Sequence, residues 1–287
     1  MHWQTTRFRI DLSRPRVMGI VNVTPDSFSD GGHHADTRAA LAHCEQLLKD
    51  GADILDIGGE SSRPGAESLP LEEELARVLP LLREALKLGV PVSIDTYKTE
   101  VMRAALDLGV DILNDINALR SPGADAVAAS HARCGICLMH MRGEPKSMQA
   151  DTHYEDVVRE VSEFLIERTR VLRSQGVAAE RIALDPGIGF GKSVEATFAL
   201  LTHQRELLAR LRQALAHDHP LLVGWSRKSS LGALTGRPVG QRLGASVAVA
   251  LASVQLGAHV VRVHDVADTV DALKVWGVAG LPAGTPG

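Results

Sequence analysis

Short apolar runs recur along this chain, each closing on a polar residue or a glycine. The clearest covers residues 182–184 and stops at Asp185; Pro186 forbids continuation of a β-ladder, and Gly187, Gly189 and Gly191 open a loop. Runs at 17–23, 54–57, 92–94, 112–113, 136–139, 221–223 and 260–263 have the same form and predict buried strands. Helical spacing of apolar positions fills much of the intervening chain. One helix has Asp36 as its N-cap, Gly51 past its end and a stripe of Leu41, Cys44, Leu47 and Leu48. Others are expected over 71–88, bent at Pro80, and at about 154–175, 194–215, 244–256 and 267–276. Phe8 and Ile10 alternate with polar residues, which predicts a short strand or hairpin within 5–14.

A weak internal repeat supports this reading. Residues 51–57, 109–115 and 257–263 each begin with a helix-ending glycine, turn over two residues and enter an apolar strand. Eight such βα units suit a (β/α)8 barrel, with the N-terminal hairpin covering its bottom. A doubly wound sheet is the structural alternative and fits eight strand–helix units less well. No linker or low-complexity stretch divides the chain, so residues 1–287 are expected to form one domain with a disordered tail at about 280–287.

Composition narrows the partners. A net charge of −4 gives no electrostatic case for nucleic acid or a membrane surface, and no apolar run reaches the roughly 20 residues of a membrane span. The opening MHWQTTRFRIDLSR lacks the apolar core of a signal peptide. Three cysteines, an odd number, point to reduced thiols and a cytoplasmic location. Cys134 and Cys137 form a CxxC without a second pair, so packing of Cys137 in its strand competes with a metal or redox use. Gly191-Lys192-Ser193 does not complete a P-loop, because GxxxxGK[ST] needs a glycine where Pro186 stands.

The polar residues that follow the strands are Asn22, the 61–64 loop, Asp95, Asn114, His140, Asp185, Lys228, Arg262 and His264. In a barrel these converge on one mouth. Singly, each has an ordinary explanation: Asp95 and Asp185 can cap helices, and Asn114 can make a turn. Together they need partners, since buried carboxylates and amides must be hydrogen-bonded. Asp95, Asn114 and Asp185 suit a flat heterocycle with adjacent N–H donors and an acceptor, the edge found on guanine and pterin. Lys228 can donate to a ring carbonyl, and Arg262 can stack on a ring or fork onto phosphate. Arg63, Arg262 and His264 form a cationic rim for an anion. Asn22 offers a neutral oxygen to Mg²⁺ on a diphosphate.

The segments GIVNVTPDSFSDGG, DIGGESSRPGA, VSIDT, NDI, LMHM, LDPGIGFGK, SRKS and RVHDV, spanning residues 19–266 in order, resemble the dihydropteroate synthase family. The resemblance implies condensation of 6-hydroxymethyl-7,8-dihydropterin diphosphate with p-aminobenzoate in folate biosynthesis, Mg²⁺ as cofactor, and sulfonamides as inhibitors. It implies that Asp95, Asn114, Met139, Asp185, Lys228 and Arg262 hold the pterin. Asn22, Arg262 and His264 would meet the diphosphate, with Asn22 at the metal. Ser62, Arg63, Pro64, Phe190, Ser226 and Lys228 would form the aminobenzoate side. Asp95, Lys228, Arg262 and Asp30 are the expected catalytic residues, Asp30 near the developing cation on the 24–32 loop. Ser62 stands where many members have Thr, and Trp225 where a smaller residue is usual.

The chemistry this implies is ionisation of the pterin methylene C–O bond followed by attack of the arylamine, whose low pKa removes the need for a strong base. Two rivals are a methyltransferase domain that binds methyltetrahydrofolate and a non-catalytic pterin-binding paralogue. The first would not need the TPDSFSDGG loop or the SRKS lysine, and the second should have degraded those loops; both are intact. A homodimer is expected, largely from the resemblance, with the small-residue helix at 244–256 as a possible face.

Overall fold

The computed structural model describes residues 1–23, 33–61, 68–144 and 146–279. Eight parallel strands make the sheet: β3 (Arg16–Asn22), β4 (Ile54–Gly58), β5 (Val92–Asp95), β6 (Ile112–Asp115), β7 (Gly135–Met139), β8 (Ile182–Asp185), β9 (Leu222–Val223) and β10 (Val260–Val263). Their lateral order is β8-β7-β6-β5-β4-β3-β10-β9. A parallel bridge between Leu184 and Leu221, with Leu184 N–H donating to Pro220 O at 2.8 Å, brings the two edges together. The result is a (β/α)8 barrel.

Strand alternation divides the barrel interior into layers. At the amino ends, Met18, Ile54, Ile112, Cys137, Ala183, Leu222 and Val260 form an apolar cluster. An antiparallel hairpin, β1 (His2–Gln4) with β2 (Arg9–Asp11), plugs this end through Trp3, Ile10 and Leu12. Trp3 Nε1 donates to Arg181 O at 2.9 Å, and the buried Arg181 guanidinium donates onward to Cys134 O and Ala128 O. Two residues further along the strands, the same face carries Asp56, Asn114, Met139, Asp185 and Arg262. The second core, between sheet and helices, is aliphatic.

The helices are α1 (His33–Lys49), α2 (Leu71–Ala85), α3 (Thr99–Leu108), α4 (Ala124–Ser130), α5 (Val157–Ser174), α6 (Val194–Thr202), α7 (Gln204–Leu215), α8 (Ser229–Thr235), α9 (Leu243–Gln255) and α10 (Val266–Val278). Several differ from expectation. The hairpin starts at His2, where one buried tryptophan between polar neighbours is too short a pattern to reveal a strand. α1 begins at His33, so Asp36 lies inside its first turn. The helix expected over 194–215 is two helices, broken at His203, whose ψ of 20° leaves the helical range. The break lets Gln204 turn inward and donate to Ser253 O at 2.8 Å. The short α3, α4 and α8 carry too few turns to stand out in the sequence. The tail at 280–287 and the 24–32 loop lie outside the described residues.

Candidate active site

The mouth at the carboxyl ends of the strands is built around a cation held by two carboxylates. Arg262, on β10, donates from Nε to Asp56 Oδ2 and from Nη2 to Asp95 Oδ2, both at 2.6 Å. Asp56 Oδ2 also accepts from Asn114 Nδ2 at 3.1 Å, while Asp56 Oδ1 is buried with no partner among the described residues. The Asn114 amide is thereby oriented, its Nδ2 spent on Asp56 and its carbonyl oxygen left as acceptor. Register puts Asp95 beside Asn114 and Met139 beside Asp185.

Asp95 and Asp185 do not cap the helices that follow them. α3 begins after Lys98, and α6 is capped by Ser193, whose Oγ accepts from Ala196 N at 3.1 Å. Asp185 Oδ1 instead accepts from the N–H of Gly187 at 2.7 Å. That turn requires glycine: φ at Gly187 is 67°, and a Cβ there would overlap the carbonyl oxygen of His140.

Burial dominates the electrostatics. It pushes Asp185 up to about 6, against the pull of Gly187 N–H, Lys228, Lys192 and Arg262. Asp95 is likewise raised by burial, with Arg262 opposing and Asp56 adding to the rise. Burial lowers Lys228 to about 7; Arg262 adds to the drop, and Asp185 and Asp95 oppose it. Two buried acids held above their usual range and a buried amine held below its own, in one mouth, make this end the candidate functional site.

Lys228 sits at the start of α8, its Nζ 3.8 Å from the centroid of the Phe190 ring. Its loop is held from outside. Arg227 adopts φ of 60°, pairs with Asp265 at 2.6 Å, and donates its N–H to Ser246 Oγ. With Arg227 directed outward, Ser226 Oγ meets both the backbone N–H and Nδ1 of His264, at 3.1 and 3.0 Å. Ile116, Met139, Met141, Met148 and Phe190 form a separate apolar cluster flanked by Tyr97. Asn22 ends β3, half-buried, opposite Gly58.

Of the expected site residues, Asp95, Asn114, Met139, Asp185, Lys228, Arg262, Phe190, Ser226, His264 and Asn22 lie at this end of the barrel. Asp30, Ser62, Arg63 and Pro64 lie outside the described residues. Trp225 is 2% exposed, and its ring packs on Phe198 at 5.5 Å in the layer between sheet and helices. Asp56 was missed by looking only at strand ends. Two residues beyond the inward Ile54, alternation alone placed it inside. The three cysteines are buried free thiols, with Cys137 in the apolar layer.

The family model for pterin binding enzymes matches residues 18–264. A dihydropteroate synthase of Neisseria meningitidis serogroup B is 53% identical over 97% of this chain and 98% of that relative. The chain belongs to the dihydropteroate synthases. Their solved structures superpose closely. The Burkholderia cenocepacia dihydropteroate synthase, complexed with 7,8-dihydropteroate, has a TM-score of 0.87 and 48% identity, covering 97% of this chain and 96% of that one. The Yersinia pestis dihydropteroate synthase, solved as a sulfonamide drug complex, has a TM-score of 0.89 and 42% identity, covering 98% and 99%. As a dihydropteroate synthase the chain is a transferase of folate synthesis, and a barrel mouth lined by buried acceptors is the part of the fold such chemistry needs.

Proposed function

We propose that this mouth binds the pterin of 6-hydroxymethyl-7,8-dihydropterin diphosphate edge-on and delivers its methylene carbon to p-aminobenzoate. The observation that carries this is the buried polar set itself: Asp56, Asp95, Asn114, Arg262, Asp185 and Lys228 within one mouth. Asp185 Oδ2, Asp95 Oδ1 and the Asn114 carbonyl are acceptors left for ring and exocyclic N–H groups. Lys228 donates to the ring carbonyl, and Met139 packs beside the ring. Arg262 closes the floor against the ring face and, with Asn22 and His264, meets the diphosphate. Phe190, Ser226 and Lys228, with Ser62, Arg63 and Pro64, form the aminobenzoate side. Sulfonamides would compete there.

The methylene C–O bond breaks with its electron pair leaving on diphosphate, and the electron-rich dihydropterin delocalises the cation. The arylamine lone pair then forms the C–N bond and the nitrogen loses a proton. Arg262 and Lys228 stabilise the departing anion, with Asp30 near the cation. Among the described residues no cluster of three or more His, Cys, Asp or Glu side chains offers a resident metal site. The donor set fits a magnesium ion arriving on the diphosphate, which the Asn22 amide oxygen would help to hold. When bound there, the ion would supply positive charge to offset that of the leaving diphosphate.

The protein works as a homodimer in the cytoplasm on this reading. Leu234, Leu243, Val275 and Val278 are exposed apolar side chains on the adjoining α8, α9 and α10. No helix among the described residues is long and apolar enough to cross a membrane. Sedimentation of a monomer at micromolar concentration would remove the dimer. Incubation with pterin diphosphate, Mg²⁺ and p-aminobenzoate should yield dihydropteroate, and absence of product from folded protein would end the assignment. Oxygen label should scramble between bridging and non-bridging diphosphate positions without arylamine; if neither scrambling nor diphosphate release occurs while the full reaction runs, the cation mechanism fails.

A further inference from the structure

Lys192 is the buried lysine of the mouth that the proposed chemistry leaves unused; burial lowers its pKa well below the usual value, while Asp185 and the acceptors around Nζ favour the ammonium. Its side chain never reaches a carboxylate. Nζ donates instead to Gly187 O at 2.8 Å, to Phe190 O at 2.9 Å and to His140 Nδ1 at 2.8 Å, with His140 O at 3.3 Å. Three N–H bonds thus meet three close acceptors and one longer one. His140 must keep its proton on Nε2 to accept at Nδ1, and burial next to Lys192 lowers its pKa, holding the ring neutral.

The loop folds around its own lysine. The carbonyls of Gly187 and Phe190 turn inward to the ammonium, whereas Gly189 O accepts from Gln149 Nε2 at 2.8 Å and Gly191 O from Tyr154 Oη at 2.9 Å. Positive φ at Gly187, Gly189 and Gly191 produces this alternation of carbonyl directions. Gly191, like Gly187, admits no Cβ, because Arg142 O lies against it. Without the lysine, Phe190 O would lose its Nζ–H donor, and Gly187 O would keep only the N–H of Phe190 at 3.1 Å.

The two residues gripped through their carbonyls are those that set the recognition edge. Gly187 gives its N–H to Asp185 Oδ1, and the Phe190 ring lies under Lys228 Nζ. We infer that Lys192 is a positioning residue of this reaction: its ammonium, caged by Gly187 O, Phe190 O and His140, fixes the loop that aims Asp185 and Lys228 at the pterin. A second effect follows from the charge, one of several acting on Asp185. Lys228 faces it from the loop after β9, Arg262 from β10 with Asp56 and Asp95 behind, Cys137 from β7, and Lys192 from its own loop.

This rests on Asp185 lying on the pterin side, so wild-type protein and Asp185→Asn are titrated first with a pterin lacking the diphosphate. If Asp185→Asn binds as wild type, the reading of the site fails whatever Lys192 does. With that reading secure, Lys192→Met should raise the pterin dissociation constant about tenfold or more, through misplacement of the edge. It should also move the acid limb of binding to higher pH, because one cation near Asp185 is gone. Lys192→Arg keeps the charge and should leave that limb in place while still weakening binding. If both variants melt earlier but bind pterin with wild-type affinity and pH dependence, Lys192 is a structural crosslink only and the inference falls. Should Lys192→Met fail to fold, His140→Asn and His140→Leu take its place. Asn retains an acceptor toward Nζ and should bind within about twofold of wild type, whereas Leu should lose about fivefold, the worth of one hydrogen bond. Equal affinities for these two would overturn the cage.

Discussion

The two ends of this barrel are made from the same strands and obey opposite rules. At the amino ends, inward positions are Met18, Ile54, Ile112, Ala183, Leu222 and Val260, sealed by Trp3 and Ile10 from the hairpin. Two residues on, Ile54 gives way to Asp56, Ile112 to Asn114, Ala183 to Asp185 and Val260 to Arg262. Buried polar groups at the first end, such as Arg181, are spent on backbone carbonyls. At the second end acceptors are left over: Asp56 Oδ1 has no partner among the described residues, and Asp185 is held above its usual pKa. The amino end is assembled for stability. The carboxyl end gives up stability to keep unsatisfied groups ready for a ligand.

The hardest test removes one large side chain from each end. Arg262→Ala strips the partner from two buried carboxylates, a loss of roughly 3–5 kcal/mol. Trp3→Ala leaves a cavity at the plug, also roughly 3–5 kcal/mol. Denaturant titration should find both destabilised. Assayed at a temperature where both stay folded, Trp3→Ala should keep wild-type kcat and Arg262→Ala should be essentially inactive. Equal loss of turnover in the two would mean the ends are not functionally separable.

Asp185→Asn should separate stability from binding within the mouth. Its amide oxygen can still accept from Gly187 N–H, and the cost of burying a carboxylate disappears. Melting should rise by about 2–4 °C, the shift expected for about 1 kcal/mol in a chain of this class. Pterin affinity should nevertheless fall, because the new N–H faces a ligand donor; one mispaired buried group costs about 1–3 kcal/mol, or about five- to 150-fold. Calorimetry showing lower stability together with unchanged affinity would make Asp185 a structural residue.

The same contrast explains what the sequence disclosed. Strands and their polar ends were legible because apolar runs stop abruptly at Asp185, Asp95 and Asn114. The placement of Asp56 was available from alternation, since Ile54 two residues earlier faces inward. The Lys192 cage was not legible. It depends on the directions of the Gly187 and Phe190 carbonyls, which follow from φ rather than from residue type, and on His140 arriving from another strand. The Arg262 bridge was similarly hidden, because Asp56 and Asp95 lie 206 and 167 residues away in the chain. The hairpin boundary failed because Trp3 is the one buried residue of β1.

pH offers a smaller and graded test. On the proposed reading, pterin binding needs Asp95 and Asp185 as carboxylates and Lys228 as ammonium; with these near 7, 6 and 7, affinity for a pterin without diphosphate should be greatest between about pH 6 and 7 and fall on either side. Stability runs the other way. A carboxyl raised in the folded state costs stability once pH exceeds that raised value, and the cost vanishes below the usual 3.8. An amine lowered in the folded state costs stability below its lowered value, and the cost vanishes above the usual 10.5. Both costs are therefore full between about 6 and 7, where binding is best. Melting curves of wild type minus the Asp185→Asn, Lys228→Met double variant should show a minimum in that window. A difference that does not vary with pH would deny that either group is shifted.

The smallest expected effect concerns Trp225, the departure from the family pattern beside Ser226. Its neighbour in sequence faces the mouth, but its ring lies on Phe198 in the outer layer, and its Nε1 is buried without a partner among the described residues. Trp225→Phe removes that unpaired donor and also removes volume. The first change favours the folded state and the second opposes it, each by about 1–3 kcal/mol, so the net change should stay within about 1 kcal/mol. The KM for p-aminobenzoate should stay within about twofold, because Phe190 and Lys228 pack on each other without the indole. A more than fivefold rise in that KM, with pterin affinity unchanged, would show that packing behind the 225–228 loop sets the aim of Ser226. The boundary of the functional end would then lie one layer further out than the polar side chains indicate.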